Sequence, residues 1–226
     1  MLLRRMACSA LLPRLSLGLL AGSSLGLGSL RVWADERQKA PLGELYADAV
    51  EAFVDVPGCE SLSSADGVLY LAPSKAGAER VEWPKLISKS VIYSFTAWNP
   101  HGQTASDAAN KAANARLEAD IDNLRLKPRA TWRCFGFNVK EGWREEGFSL
   151  AYDPAERRFA LNEVMRLASR YRQAAVYMYM CKEGVVVRET LWVDRAAREE
   201  HADDTPVVMM RLANPPPSEL AARGKL

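Results

Sequence analysis

Histidine and paired cysteine are scarce in this 226-residue chain, which has only His101 and His201 and four cysteines at positions 8, 59, 134 and 181 with no C-x-x-C spacing. Scattered thiols of this kind form neither a disulfide framework nor a zinc site, so reduced, mostly buried cysteines are expected, with no metal and no cofactor. The two histidines lie far apart in sequence, which gives no support to a His-rich metal centre. Several catalytic strings are also missing: there is no G-x-x-x-x-G-K-[ST], no G-x-G-x-x-G after a strand, no H-E-x-x-H and no G-x-S-x-G. Acidic residues are absent before Asp35. The uncharged run from Leu15 to Leu30 has 16 residues, short of the roughly 20 that span a bilayer, so no integral membrane span is expected.

What the first 35 residues do contain is Arg4, Arg5, Arg14 and Arg31 among leucines and five serines. That composition reads as a transit peptide for an organelle, mitochondrion or chloroplast. Secretion is the alternative, but Arg14 interrupts the apolar stretch and no A-x-A site precedes Asp35. Removing the four arginines leaves 26 basic against 28 acidic residues. The isoelectric point of 8.3 is therefore largely a property of the leader, and a near-neutral mature chain makes no global case for nucleic-acid binding. Trp132, Trp143 and Tyr93 are aromatic but carry no basic interleaving of the RNP type, which favours core packing over base stacking.

The strongest local pattern runs from Ile92 to Leu117. Val91 to Trp98 is almost continuously apolar and β-branched or aromatic, as a strand covered on both faces would be. Asn99-Pro100-His101-Gly102 breaks it. A helix is predicted to follow, with Thr104 or Ser106 as N-cap and Ala109, Ala113, Leu117, Ile121 and Leu124 as its buried face. Ser106, Asn110, Asn114 and Glu118 form a second stripe beside it. Farther on, Ala130 to Val139 and Trp143 to Tyr152 read as a hairpin, Asp153-Pro154 as the start of a second helix, and Ala174 to Cys181 with Val185 to Val193 as another strand pair.

Thr96-Ala97-Trp98-Asn99-Pro100, then Gln103, Ser106, Asn110, Asn114 and Leu117, resembles the opening signature of the DUF3293 family, a domain of unknown function. Trp143 to Phe148 and Tyr171 to Val176 resemble later segments of the same family. The likeness spans roughly residues 90 to 193. It implies candidate positions and a domain, not a reaction.

The order β-α-β-β-α-β with one extra strand leads to an α+β, ferredoxin-like expectation: an antiparallel sheet with two helices on one face and the other face free. Within it, residues 1–35 are the targeting segment. Residues 36–89 form an N-terminal extension with a helix over Leu42 to Val54 and a strand over Gly67 to Ala72, anchored by Trp83. Residues 90–195 are the α/β domain, and 196–226 are a tail with a short strand.

Asn99, Gln103, Ser106, Asn110, Asn114 and Gln173 are the candidate ligand-binding residues, at a corner where helix N-terminal amides would receive a small polar or anionic ligand. Turn chemistry and helix capping are the plainer account of the same residues. His101 is a candidate acid or base, set against a solvated loop side chain. Glu146 is the second catalytic candidate, because its strand face also holds Phe148, Leu150 and Tyr152, whereas Glu145 points the other way with Gly147, Ser149 and Ala151. An ion pair with Arg144 or Arg133 is the plainer account of Glu146. Asp203-Asp204 reads as a solvated turn. The functional alternatives are thus a ligand-binding domain, a structural protein docking a partner through its free sheet face, and an enzyme using Glu146.

Overall fold

A computed structural model describes residues 46–74, 82–193, 205–210 and 213–218, all in one compact unit. The targeting segment and Asp203-Asp204 lie outside the described residues. The strands are β1 (Val50–Val54), β2 (Val68–Pro73), β3 (Val91–Thr96), β4 (Ala130–Asn138), β5 (Trp143–Tyr152), β6 (Ala175–Lys182), β7 (Val185–Trp192) and β8 (Thr205–Met210). They close into one antiparallel barrel in the order β1-β2-β8-β7-β6-β3-β5-β4. Its helices are α1 (Lys85–Ser88), α2 (Asp107–Asp122) and α3 (Arg157–Arg170).

The ferredoxin-like expectation is overturned by this closure. An open sheet would leave β4 as an edge with one bare face; here β4 pairs with β1, from Val50↔Phe137 to Phe53↔Cys134. Two strands, β1 and β8, make the difference, and their sequence reads least clearly. The helix expected over Leu42 to Val54 ends instead in β1. Ala49, Glu51 and Phe53 alternate with Val50, Ala52 and Val54, and both sets are largely covered. A segment covered on both faces has no strand-like alternation to display, so its alanines and glutamate imitate a helix. β8, expected as a short strand in a tail, is inserted between β2 and β7 and completes the wall.

Register separates the two faces. Ser94 pairs with Ser149, and Ser149 with Trp132, so these side chains share one face. The opposite parity carries Val91, Tyr93, Phe95, Phe148, Leu150, Tyr152, Val176 and Met178. That set packs beneath Leu117, Ile121 and Leu124 of the α2 region and Ala160, Val164 and Leu167 of α3, and so it is the outside of the barrel. Each buried leucine there contributes about 2 kcal/mol by area. The predicted face of α2 is therefore occupied at Leu117, Ile121 and Leu124, while Ala109 is exposed. Ser106 is the N-cap, its Oγ accepting from Ala109 N at 3.3 Å.

Inside, Phe53, Leu69, Leu71, Ile92, Trp132, Tyr179, Val186 and Val207 fill the space, as an eight-stranded barrel requires. Trp83 and Ile87 of the α1 region join that cluster and close one end. At the other end Tyr46 packs edge-on against Tyr177 and Trp192, with ring centroids 5.8 and 5.4 Å away. At Gly147 on β5 a Cβ would collide with the Phe95 carbonyl of β3.

Candidate functional site

The β3-to-α2 corner is a closed hydrogen-bond network. Asn99 adopts a left-handed backbone, φ 46°, as asparagine tolerates better than most residues. Its N–H donates to Asn110 Oδ1 at 3.0 Å, while its Oδ1 accepts from Ala105 N at 3.0 Å and from Asn110 Nδ2 at 3.1 Å. Asn114 Oδ1 accepts from Ala97 N at 3.0 Å, and Asn114 Nδ2 donates to the Glu146 carbonyl at 2.8 Å. Gln173 Nε2 donates to the Trp98 carbonyl at 2.9 Å, tying the entry of β6 to the exit of β3. The amides at 97, 99, 105 and 109 are thus occupied by side chains of the protein itself. His101 and Gln103, by contrast, are exposed, and His101 also has a positive φ of 58°.

One bond leads out of the network. Asn99 Nδ2 donates to Glu145 Oε1 at 2.8 Å. Glu145 pairs with Gly136 across β4 and β5, on the face that lines the interior of the barrel, and it is half-buried. Burial pushes its carboxyl up to about 7, against the pull of the Asn99 bond. Glu51, opposite Gly136 on β1, lies on the same face, and its Oε2 would be 3.4 Å from a Cβ placed on Gly136. Burial also pushes Glu51 up to about 7; contact with the Cys134 thiol and the charge of Arg188 act the other way, while Glu145 adds repulsion.

Arg188 is the cation of this interior and is only 2% exposed. Its guanidinium donates to the carbonyls of Ala49 at 2.6 Å, Ala47 at 2.8 Å and Tyr46 at 3.1 Å, and stacks 4.4 Å from the Tyr177 ring centroid. Those three carbonyls fasten the segment that leads into β1. Ser94 and Ser149 hydrogen-bond to each other at 2.7 Å deeper in the barrel. Among the described residues, the indole N–H groups of Trp132 and Trp143 are buried on this face without a hydrogen-bond partner.

Glu146 belongs to the outer face. Arg144 Nε donates to its Oε1 at 2.8 Å, and the two side chains are 18% and 24% exposed. Arg144 also lies over the Phe135 ring, 3.6 Å from its centroid. The structure therefore separates the two adjacent glutamates: Glu146 is paired with an arginine, and Glu145 reaches the interior beside Asn99. Glu51, Glu145 and Arg188 were not singled out by sequence reasoning. A signal was present in the small residues Gly147, Ser149 and Ala151 that accompany Glu145, because the interior of a small barrel alternates small with large side chains.

Fold and interior define a closed eight-stranded barrel with ionisable groups inside and two long helices packed on its outer wall. Residues 95–176 match the family model described as "Protein of unknown function (DUF3293)", which is 82 of the 226 residues. The matched region runs from the end of β3 to the start of β6, so it contains the asparagine network and Glu145 but neither Glu51 nor Arg188. No curated protein and no solved structure matches the chain. Among the described residues, no group of three or more His, Cys, Asp or Glu is arranged to hold a metal, and no helix is long and apolar enough to cross a membrane.

Proposed function

We propose that the domain binds a small polar ligand at the barrel end marked by Asn99 and Glu145, with Glu145 as the contact and the asparagines as its support. The observation that carries this reading is the Asn99–Glu145 bond of 2.8 Å, which aims a half-buried carboxyl of pKa about 7 into the barrel interior. Perturbed carboxyls at a partly open, polar site are where ligand recognition or proton transfer concentrates. The unpartnered indole of Trp143 supplies a donor on the same face. The ligand favoured here offers a hydrogen-bond donor or a cationic nitrogen to Glu145. An anion is not favoured at this point, because the corner amides are already engaged.

The test is a thermal-shift screen of the full chain against amino acids, polyamines, sugars and nucleosides at pH 6 and pH 8. A compound at about 100 times its dissociation constant stabilises the fold by roughly 2.7 kcal/mol. The expected result is a shift that disappears in Glu145→Gln, a variant that keeps the shape and an acceptor for Asn99. A compound whose shift survives in Glu145→Gln removes Glu145 from the site and with it this reading.

The alternative of a structural protein is favoured by the asparagine network, whose polar groups are spent on holding β3, α2 and β6 together. Its docking surface is not a free face of the β3-β5-β6 wall, since one side of that wall is the interior and the other lies under α2 and α3. Acid–base catalysis, if the domain is an enzyme, is proposed for Glu145 in place of Glu146. The organellar address of residues 1–35 stands as a proposal that localisation of a fluorescent fusion would test.

A further inference from the structure

Away from the barrel end, α2 and the end of α3 flank a cleft of about 460 Å³. Alanines form part of its lining, Ala97, Ala113 and Ala119, leaving space that larger side chains would occupy. Three arginines line it as well, Arg116, Arg170 and Arg172. Only one is neutralised. Arg170 Nη1 lies 2.9 Å from Asp120 Oδ2, and the Tyr171 hydroxyl donates to the same oxygen at 2.7 Å. Among the described residues, the side chains of Arg116 and Arg172 have no ion-pair or hydrogen-bond partner. Three arginines against one aspartate leave the cleft two charges positive.

The backbone at Arg172 is unusual in a way that bears on this. Gln173 N donates to the Ala168 carbonyl at 2.9 Å and Arg172 N to the Ser169 carbonyl at 3.0 Å, closing α3 in a Schellman motif. Arg172 holds the left-handed position of that motif, φ 54°, which glycine adopts without penalty. Its carbonyl is fixed by the His101 N–H at 2.8 Å. The negative end of the α3 dipole accounts for cations at 170 and 172. It accounts neither for Arg116 on the neighbouring helix nor for the alanine-lined space between them.

We propose that this cleft binds the phosphate group of a small phosphorylated metabolite. Two unpaired guanidiniums match a phosphate dianion in charge, and arginine meets phosphate oxygens with paired, charge-assisted hydrogen bonds. The volume is that of a small-molecule site. This inference uses none of the residues proposed to contact a ligand at Glu145, so either one stands or falls alone.

Isothermal titration of the full chain with ribose 5-phosphate, with ribose as control, tests it. The expected result is saturable binding of the phosphate ester, none of ribose, and an affinity that falls as salt rises. Arg116→Gln and Arg172→Gly each weaken binding by about tenfold or more. Arg172→Gly is the decisive variant, because it relieves the left-handed backbone and its thermal midpoint stays equal to or above that of the parent. Absence of binding, or binding unchanged in both variants, overturns the proposal. Equal affinity for inorganic phosphate overturns its metabolite part.

Discussion

The two faces of the β3-β5 wall reverse the usual relation between inside and outside. Under α2 and α3 the outer face is apolar, built from Tyr93, Phe95, Phe148, Leu150 and Tyr152, with the Arg144–Glu146 pair beyond it on β5. The inner face holds Ser94, Ser149 and Glu145, with Glu51, Cys134 and Arg188 from the strands around it. The outer face contributes stability through area alone, which is nearly independent of pH. The inner face contributes through a balance of charge and burial, which depends on protonation. Perturbing each face at two pH values therefore distinguishes them.

The largest effect is expected from Arg188→Met. It deletes three hydrogen bonds to Tyr46, Ala47 and Ala49 and removes the cation nearest Glu51. Breaking a buried charge arrangement by losing one partner costs about 3 to 5 kcal/mol. Urea denaturation should show the greater loss at pH 8, where the carboxyls are ionised, than at pH 5. Leu117→Ala, on the outer side, should cost about 3 kcal/mol and cost the same at both pH values; a strong pH dependence of that loss would break the contrast between the faces.

Glu51→Gln should act in the opposite sense. The folded-state pKa of about 7 lies above the ordinary value of 4.5, so the folded protein binds more protons than the unfolded chain between those values. Stability from this group is intact below pH 4.5 and is lost as pH rises toward 7. The glutamine variant should therefore match the parent near pH 4.5 and exceed it by on the order of 2 kcal/mol at pH 8. Equal stability of the two proteins at pH 8 would show that Glu51 is not forced to ionise against burial. The smallest effect, about 1 kcal/mol, is expected for Ser106→Ala, which removes the N-cap of α2 and is read as a lowered midpoint without pH dependence.

Much of this arrangement was legible before any coordinates. β3, the β4-β5 hairpin, the β6-β7 hairpin and the capped helix after Asp153 all follow from local apolar runs and their punctuation, because each is short, continuous and bounded by turn residues. The barrel was not legible, since closure depends on β1 pairing with β4 and β8 with β2, partners that are remote in sequence. The choice of acidic candidate turns on the same point. Along β5 the side chains alternate, so the choice between Glu145 and Glu146 is a choice of which face is interior. Taking the apolar face as the face that receives the carboxylate selects Glu146; closure of the wall turns Glu145 inward instead. The asparagines at 99, 110 and 114 were recognisable as a set, but their mutual bonds were not, because a side-chain amide serves a ligand and a loop equally well.

The place of β8 has a consequence for how the chain acquires its structure. It enters between β2 and β7 and, among the described residues, is joined to β7 by the pairs Val187↔Pro206 and Arg188↔Thr205. During synthesis β2 emerges long before it and β7 shortly before it, each with an unpaired edge of the kind that recruits other strands. Closure of the wall waits for β8 to meet β2, a long-range pairing of the kind that slows folding and prolongs the exposure of open strand edges.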